Sequence, residues 1–341
     1  KKEGIVQELL KKSDYDEETE EVFNYNYQKS NTGGYDCFNI TGWNNSYDNQ
    51  QMTETEMKEW LQSISGKLYD IPMKSVLEIG VGTGMILHKL ADRVERYVGL
   101  DISKEAIEYN KRVIKENNFN YNHVELIHAS VEKLDNQFDE NFDTVIINSV
   151  AQYFPDVAYF ENTLAASIER MQDQGHIVIG DIRSYDRLDM YYMSVELSRL
   201  SPEDNVACLR KNMSIRRENE KELIFAHDYF KFLANRLPEI ANVEITPKIG
   251  DIDNELSKYR YDVVLTIDKQ QNSKTSDYLE PAVVDWSDGE NVMDLPDEEV
   301  IHFVNVPDRR VAYEKYLVDN LPNVDEELLI KNYIKLFPIW N

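Results

Sequence analysis

Val76–Leu90 reads VLEIGVGTGMILHKL, with three glycines in five positions between an apolar run and an amphipathic stretch. A strand that turns into a helix within so few residues needs unusual backbone angles, and a ligand lying on the turn needs absent Cβ atoms. N–H groups at the start of the following helix point into the same space. The spacing is not that of a nicotinamide fingerprint, Gly-x-Gly-x-x-Gly. Position 85 is Met, and the third glycine falls one residue early, at Gly84. Glu78 precedes the turn, and Asp101 ends the next strand in GLDIS, where a carboxylate can accept from both hydroxyls of a ribose. Taken singly, Glu78 reads as a solvated strand-end acid and Asp101 as a helix N-cap. Together, at this spacing, they point to a nucleotide-like ligand.

Working outward, strands and helices alternate from Ser75 onward. Strands are predicted over SVLEIG (75–80), RYVGLDI (96–102), VELIHAS (124–130), FDTVIINSV (142–150) and GHIVIGDI (175–182). Between them lie the helical patterns MILHKLADRV (85–94), KEAIEYNKRVIKEN (104–117) and AYFENTLAASIERMQ (158–172). Such alternation implies a parallel sheet with helices on both faces. NVEITPKIG (242–250) and RYDVVLTID (260–268) are close enough in sequence to form an antiparallel edge pair. The expected fold is therefore α/β, a Rossmann-like, seven-stranded, mostly parallel sheet with an antiparallel edge pair. Residues 1–70 read as a polar, helical lid, with KKEGIVQELLKK and TETEMKEWLQSISGKLYDI at helical spacing around a Gly- and Asn-rich loop (31–51). The core is expected over 71–268, with a helical insertion at about 184–239. Residues 269–341 form a C-terminal extension, acidic and irregular at first, then a strand (VIHFVNV) and two helices (RRVAYEKYLVDNL and DEELLIKNYIKLF).

Composition removes several function classes. The chain of 341 residues is 42% hydrophobic, enough for a packed core and against general disorder. A formal net charge of −26 disfavours nucleic acid as a partner, because a non-specific grip on phosphates needs a basic surface. No apolar run approaches a membrane span, and the acidic excess fits a soluble, cytoplasmic protein. Cys37 and Cys208 give neither a disulfide framework nor a metal-ligand cluster, and no metal is expected. The chain starts without Met or a signal-like segment and reads as a piece of something longer.

The run E-x-G-x-G-x-G, with Asp at the end of the following strand, resembles the class I methyltransferases that use S-adenosylmethionine. The resemblance implies that Glu78 and the turn of Gly80, Gly82 and Gly84 approach the amino acid part of that cofactor. Asp101, with Ile102, would hold the ribose. Ser130 and Val131 would cover the adenine, although the family often has an acid there and this chain offers none before Glu132. Asn148 and Ser149 would lie beside the sulfonium. More specifically, FNITGWNNSY, NSVAQYFPD, GHIVIGDIRS, NELSKYRYDVVL and VPDRRVAYEKYL, in this order, resemble the methyltransferase domains built into nonribosomal peptide synthetases and polyketide synthases. The likeness runs from about Phe38 to Leu329. It implies a carrier-protein-tethered substrate, neighbouring synthase domains as partners, and transfer to oxygen or nitrogen.

An amine acceptor needs only to be neutral, and an acidic oxygen needs no further deprotonation, whereas an aliphatic hydroxyl needs a base. Related synthase domains carry a His in the helix after GDIRS, where this chain has Tyr192. Tyr192 either bonds the acceptor or packs, with Tyr191, behind the site. His227 could reach the acceptor from the insertion, while His88, His123 and His176 read as structural or solvated. Glu255 matches a family position facing the site, and otherwise reads as a surface acid. Trp43, with Tyr35 and Tyr47, reads as a lid element or as simple packing, and Tyr153 as a substrate or lid contact. Without the His, oxygen is expected slightly ahead of nitrogen, and an acidic oxygen ahead of an alcohol. Two other classes remain open, a non-catalytic structural or docking module of a megasynthase and a free-standing small-molecule methyltransferase.

Overall fold

The computed structural model describes residues 18–28, 36–131, 141–270, 282–285, 301–304, 306 and 308–336. KKEGIVQELLKK, Tyr35 and Glu132 lie outside the described residues. By compactness the chain forms two units, Lys1–Leu188 with Ile215–Gln271, and Asp189–Ser214 with Asn272–Asn341. The insertion expected over 184–239 is thus divided between them, and the N-terminal segment belongs with the sheet.

The first unit is built on seven strands: β1 (Ser75–Ile79), β2 (Arg96–Asp101), β3 (Val124–His128), β4 (Phe142–Asn148), β5 (Met171–Arg183), β6 (Ile240–Pro247) and β7 (Arg260–Asp268). Their order is β3-β2-β1-β4-β5-β7-β6. All neighbours pair in parallel except β7, which runs against both β5 and β6. This is the class I methyltransferase fold. The order reverses between β1 and β4, so the crevice beyond the carboxyl ends of these strands is where such a sheet binds ligands.

Successive strand residues face opposite sides, and the core divides accordingly. Leu77, Ile79, Val145 and Ile147 join Phe160 and Leu164 of α5 (Val157–Glu169) and Phe230 and Leu233 of α8 (His227–Arg236) on one face. Val76, Tyr97, Ile146 and Val178 join Met57, Leu61 and Ile64 of α2 (Glu54–Tyr69) and Ile107 of α4 (Lys104–Glu116) on the other. Helix starts are set by side-chain caps: Thr53 and Glu56 form a reciprocal capping box on α2, and Ser103 caps α4. Residues 18–28 form the first helix, α1.

Three elements differ from the sequence reading. MILHKLADRV supplies only α3 (Leu87–Leu90) and a 3-10 turn, Ala91–Arg93. The tighter turn rises about 2.0 Å per residue against 1.5 Å for an α-helix, which carries the short connection to β2. β5 begins at Met171, earlier than expected, because Gly175 lets the strand approach the Asp143 carbonyl; a Cβ there would lie 2.2 Å from that oxygen. In the tail, Ala282–Asp285 (β8) forms a parallel pair with Ile301–Val304 (β9), where an irregular stretch was expected. A run of four residues with a distant partner leaves almost no periodicity to read.

The second unit contains most of α6 (Leu188–Arg199) and of α7 (Val206–Glu218), with α10 (Ala312–Asn320) and α11 (Ile330–Tyr333). Met193, Val206, Leu209, Leu317, Ile330 and Tyr333 form its core. Among the described residues no helix is long and apolar enough to cross a membrane.

Candidate active site

A cavity of about 330 Å³ follows the carboxyl edge of the sheet in the first unit. It is lined at one end by the turn after β1, Asp101 and Ile102 after β2, and Ala129–Val131 after β3. Asn148 and Ser149 line its middle, and Gln152, Tyr153, Glu222, Glu255 and Arg260 also face it. Every cofactor-contact residue expected from the sequence lies on this lining except Gly84.

Gly80, Gly82 and Gly84 all have left-handed backbone, with φ of 80°, 53° and 80°. What replaces their side chains is protein. A Cβ on Gly80 would lie 2.3 Å from Cγ2 of Val150, and one on Gly84 would lie 1.9 Å from Oδ1 of Asn110. Asn110, fully buried in α4, donates from Nδ2 to the Gly82 carbonyl at 2.7 Å and so ties the turn to the helix. The turn is bound from the other side by Asp101, whose Oδ2 accepts the Gly82 N–H at 2.8 Å while Oδ1 accepts the Ser103 N–H at 2.8 Å.

These two backbone bonds leave further lone pairs on each Asp101 oxygen. Burial raises its pKa from 3.8 to about 6, against the lowering effect of those bonds. An ionised Asp101 therefore needs further donors, which the two hydroxyls of a ribose would supply. Glu78 is also buried; desolvation raises it to about 8, although Tyr97 donates to its Oε2 at 2.6 Å. At neutral pH Glu78 is largely protonated, and it enters the site as a hydrogen-bonding group more than as a charge. Three buried polar atoms of lining residues have no partner: Oδ1 of Asn148, Oε1 of Gln152 and Nε1 of Trp60.

Helix α1 covers the Asp101 end. Asn24 accepts from the Ser103 hydroxyl at 2.7 Å and the Glu105 N–H at 3.2 Å, which fastens α1 to the start of α4. Phe23 meets the Tyr153 ring edge-on at 5.3 Å, and the Tyr27 hydroxyl would be 3.2 Å from a Cβ on Gly82. A second cover is the strap of residues 36–52. Trp43 in the strap packs on Trp60 at 4.6 Å, and both line the cavity. Ser46 secures the strap by donating from its N–H and its hydroxyl to the two oxygens of Glu255, each at 2.6 Å. Glu255 is therefore a buried latch at the start of α9 (Glu255–Tyr259), not a surface acid. Tyr47 lies in the strap but off the cavity lining; its N–H bonds Asn45 at 2.9 Å.

His227 and Tyr192 are not among the residues that line the cavity. His227 is off the cavity lining, its Nδ1 3.1 Å from Asp186 and its ring edge-on to Tyr261 at 4.4 Å. Burial lowers its pKa despite the Asp186 carboxylate. Tyr192 belongs to the second unit, fully buried, with its ring 5.7 Å from that of Tyr191. His88 lies beside the stacked rings of Phe119 and Tyr121, its two nitrogens unpartnered and its pKa lowered by burial to about 4. Among the described residues no group of three or more metal-ligating side chains converges.

The sequence reading expected a helical lid over residues 1–70 without placing a helix at 18–28 or a cover at Asp101, and it did not single out Asn110 as the brace of the turn or Arg260. Asn24 and Tyr27 lie in a segment with no motif. Arg260 stands inside NELSKYRYDVVL, and its placement depends on β7 running antiparallel, which the sequence suggested only as an edge pair.

A family model described as "Methyltransferase domain" matches residues 72–224. Among curated proteins, chondramide synthase cmdD of Chondromyces crocatus is 33% identical over 261 residues, 73% of this chain and 7% of that protein. Nonribosomal peptide synthetase agiA of Aspergillus flavus is 31% identical over 319 residues, 89% of this chain and 4% of that protein. The beauvericin nonribosomal cyclodepsipeptide synthetase of Beauveria bassiana is 32% identical over 295 residues, 83% of this chain and 9% of that protein. The chain thus spans less than a tenth of these relatives. Among solved structures, the N-methyltransferase NodS of Bradyrhizobium japonicum aligns at 17% identity and a TM-score of 0.42, covering 62% of this chain and 96% of that one.

Proposed function

We infer, from a chain whose residues 72–224 belong to the methyltransferase-domain family and whose methyl donor is S-adenosylmethionine, that it methylates a heteroatom, nitrogen first, of an acyl intermediate carried by a nonribosomal peptide synthetase. The peptide-synthetase setting is supported by the names of the relatives. The sulfonium supplies an electrophilic methyl group, so the protein's tasks are to position the acceptor and exclude water. The glycine turn and Glu78 would receive the amino acid part, Asp101 the ribose, and Ala129–Val131 the adenine. Helix α1 and the strap exclude water from above.

The choice against an alcohol rests on one observation: among the described residues, every carboxylate lining the cavity is already engaged. Asp101 accepts two backbone N–H groups, Glu78 is bonded to Tyr97, and both Glu255 oxygens hold Ser46. Glu222 pairs with Arg183 at 2.9 Å. Among the described residues no histidine lines the cavity. An aliphatic hydroxyl would lack a general base, whereas a neutral amine needs none. An acidic oxygen meets the same criterion and is the second reading; nitrogen is put first, against the order expected from the sequence, because the relatives are named as peptide synthetases. Tyr192 and His227 receive no role at the acceptor, the first because it has no exposed surface and the second because it is paired with Asp186 off the lining.

The test is intact-mass analysis of carrier proteins loaded with α-aminoacyl, α-hydroxyacyl or carboxyacyl groups, after incubation with the chain and S-adenosylmethionine. A gain of one methyl on the aminoacyl carrier alone is expected. Methylation of the hydroxyacyl carrier alone would overturn the nitrogen assignment.

A further inference from the structure

Arg260 opens β7, and because β7 is antiparallel to β5 its first residue reaches the same sheet edge as the carboxyl ends of the parallel strands. It pairs in register with Arg183 at the end of β5. Arg260 lines the cavity together with Ser149, Gln152, Tyr153, Glu222 and Glu255. Asp101 lies four strands away along the sheet order β2-β1-β4-β5-β7, at the nucleotide end. Arg260 therefore stands at the end left for the acceptor.

The guanidinium is held but not saturated. Nη1 donates to Oδ2 of Asp181 at 2.5 Å. Asp181 is itself fully buried and fixed by the Ser149 hydroxyl at 2.8 Å and by Lys248 at 3.7 Å. It sits in the irregular stretch of β5 between Ile179 and Ile182, with φ of 63°. A guanidinium carries five N–H donors in a planar fork, and among the described residues Asp181 is its only hydrogen-bond partner. The two other carboxylates whose charge it feels, Glu222 and Glu255, are committed to Arg183 and Ser46. A cation fixed on one side and open on the cavity side is suited to an oxygen acceptor on the ligand.

Resting on the methyl-transfer reading above, we propose that Arg260 is a specificity-determining residue that donates to the acyl carbonyl oxygen of the acceptor, beside the atom to be methylated. The substrate class is then an acyl group whose nucleophilic nitrogen is close to its carbonyl, as in an α-aminoacyl thioester. Two consequences follow from the charge. The carbonyl bond orients the nucleophile, and the neighbouring cation disfavours a protonated amine, so the reactive neutral form is the one held. Asp181 acts through Arg260 as a positioning residue.

The experiment pairs two acceptors with three proteins. One acceptor is an α-aminoacyl thioester of N-acetylcysteamine, and the other is the matching thioether, in which the carbonyl is replaced by methylene. For the wild type, loss of the carbonyl should lower kcat/KM roughly 10- to 100-fold, the scale of one charge-assisted hydrogen bond. In Arg260→Gln the thioester rate should fall to that of the thioether, and the difference between acceptors should vanish. In Arg260→Lys, which keeps the charge but not the fork, part of the difference should remain. S-adenosylmethionine affinity by calorimetry should be unchanged in both variants. Equal losses on both acceptors would make Arg260 structural and overturn the proposal while leaving methyl transfer intact. Turnover of neither acceptor by the wild type, with cofactor bound, would instead overturn the aminoacyl reading from which it proceeds.

Discussion

Substituting Gly84 with Ala tests the architecture of the turn most directly. The added Cβ meets Oδ1 of Asn110 at 1.9 Å, far inside contact distance. On an exposed side chain the clash would be relieved by a small rotation. Here Asn110 is fully buried and anchored by two bonds from Nδ2, to Gly82 O at 2.7 Å and Ala106 O at 2.9 Å. Moving it away breaks one or both, at about 0.5–1.5 kcal/mol each. The φ of 80° adds about 1–2 kcal/mol for a residue with a Cβ. The sum is roughly 1.5–5 kcal/mol, or a fall in melting temperature of about 3–20 °C at 2–4 °C per kcal/mol for a domain of this size class. If only the turn opens, the cost appears instead as lost S-adenosylmethionine affinity, because Gly82 N–H no longer holds Asp101. Differential scanning fluorimetry and calorimetry read the two outcomes. Asn110→Ala in the Gly84→Ala background should cost less than Asn110→Ala alone, since the clash is gone. Wild-type melting and wild-type affinity in Gly84→Ala would refute the reasoning.

The pH dependence of cofactor binding should follow Asp101. Its pKa of about 6 lies above the ordinary 3.8, so the stability it contributes is present below the ordinary value and is lost as pH rises through about 6. Ribose hydroxyls need the ionised form, so S-adenosylmethionine affinity should fall as pH drops below about 6, and Asp101→Asn should bind more weakly with that dependence removed; calorimetry between pH 5 and pH 8 checks both. Gly66→Ala should act in the opposite sense to Gly84→Ala. Gly66 is exposed on α2 with nothing within 4 Å of its absent Cβ, so Ala there should stabilise by about 1 kcal/mol, visible as a higher melting temperature.

The sequence by itself determined the seven strands of the main sheet, their mostly parallel pairing and a row of residues from Glu78 to Ser149 that, apart from Gly84, line the cavity. These features rest on local signals: apolar runs of strand length, glycines at a strand-to-helix turn, and an acid at a fixed place after the next strand. Such features are dictated by a few neighbouring residues, so their reading survives without a partner in view. What the glycines were for was a different matter. The sequence suggested that a ligand had excluded their side chains, whereas Val150 and Asn110 do so at Gly80 and Gly84, from 70 and 26 positions away in the chain. The same limit applies to Glu255, which reads as a surface acid until the strap brings Ser46 onto both its oxygens from 209 residues away. It applies to Arg260, which becomes a cavity cation only because β7 runs antiparallel beside β5. Contacts of this range are set by the packing of the whole sheet and its covers. No pattern of spacing within one segment carries them, so only the tertiary structure could decide them.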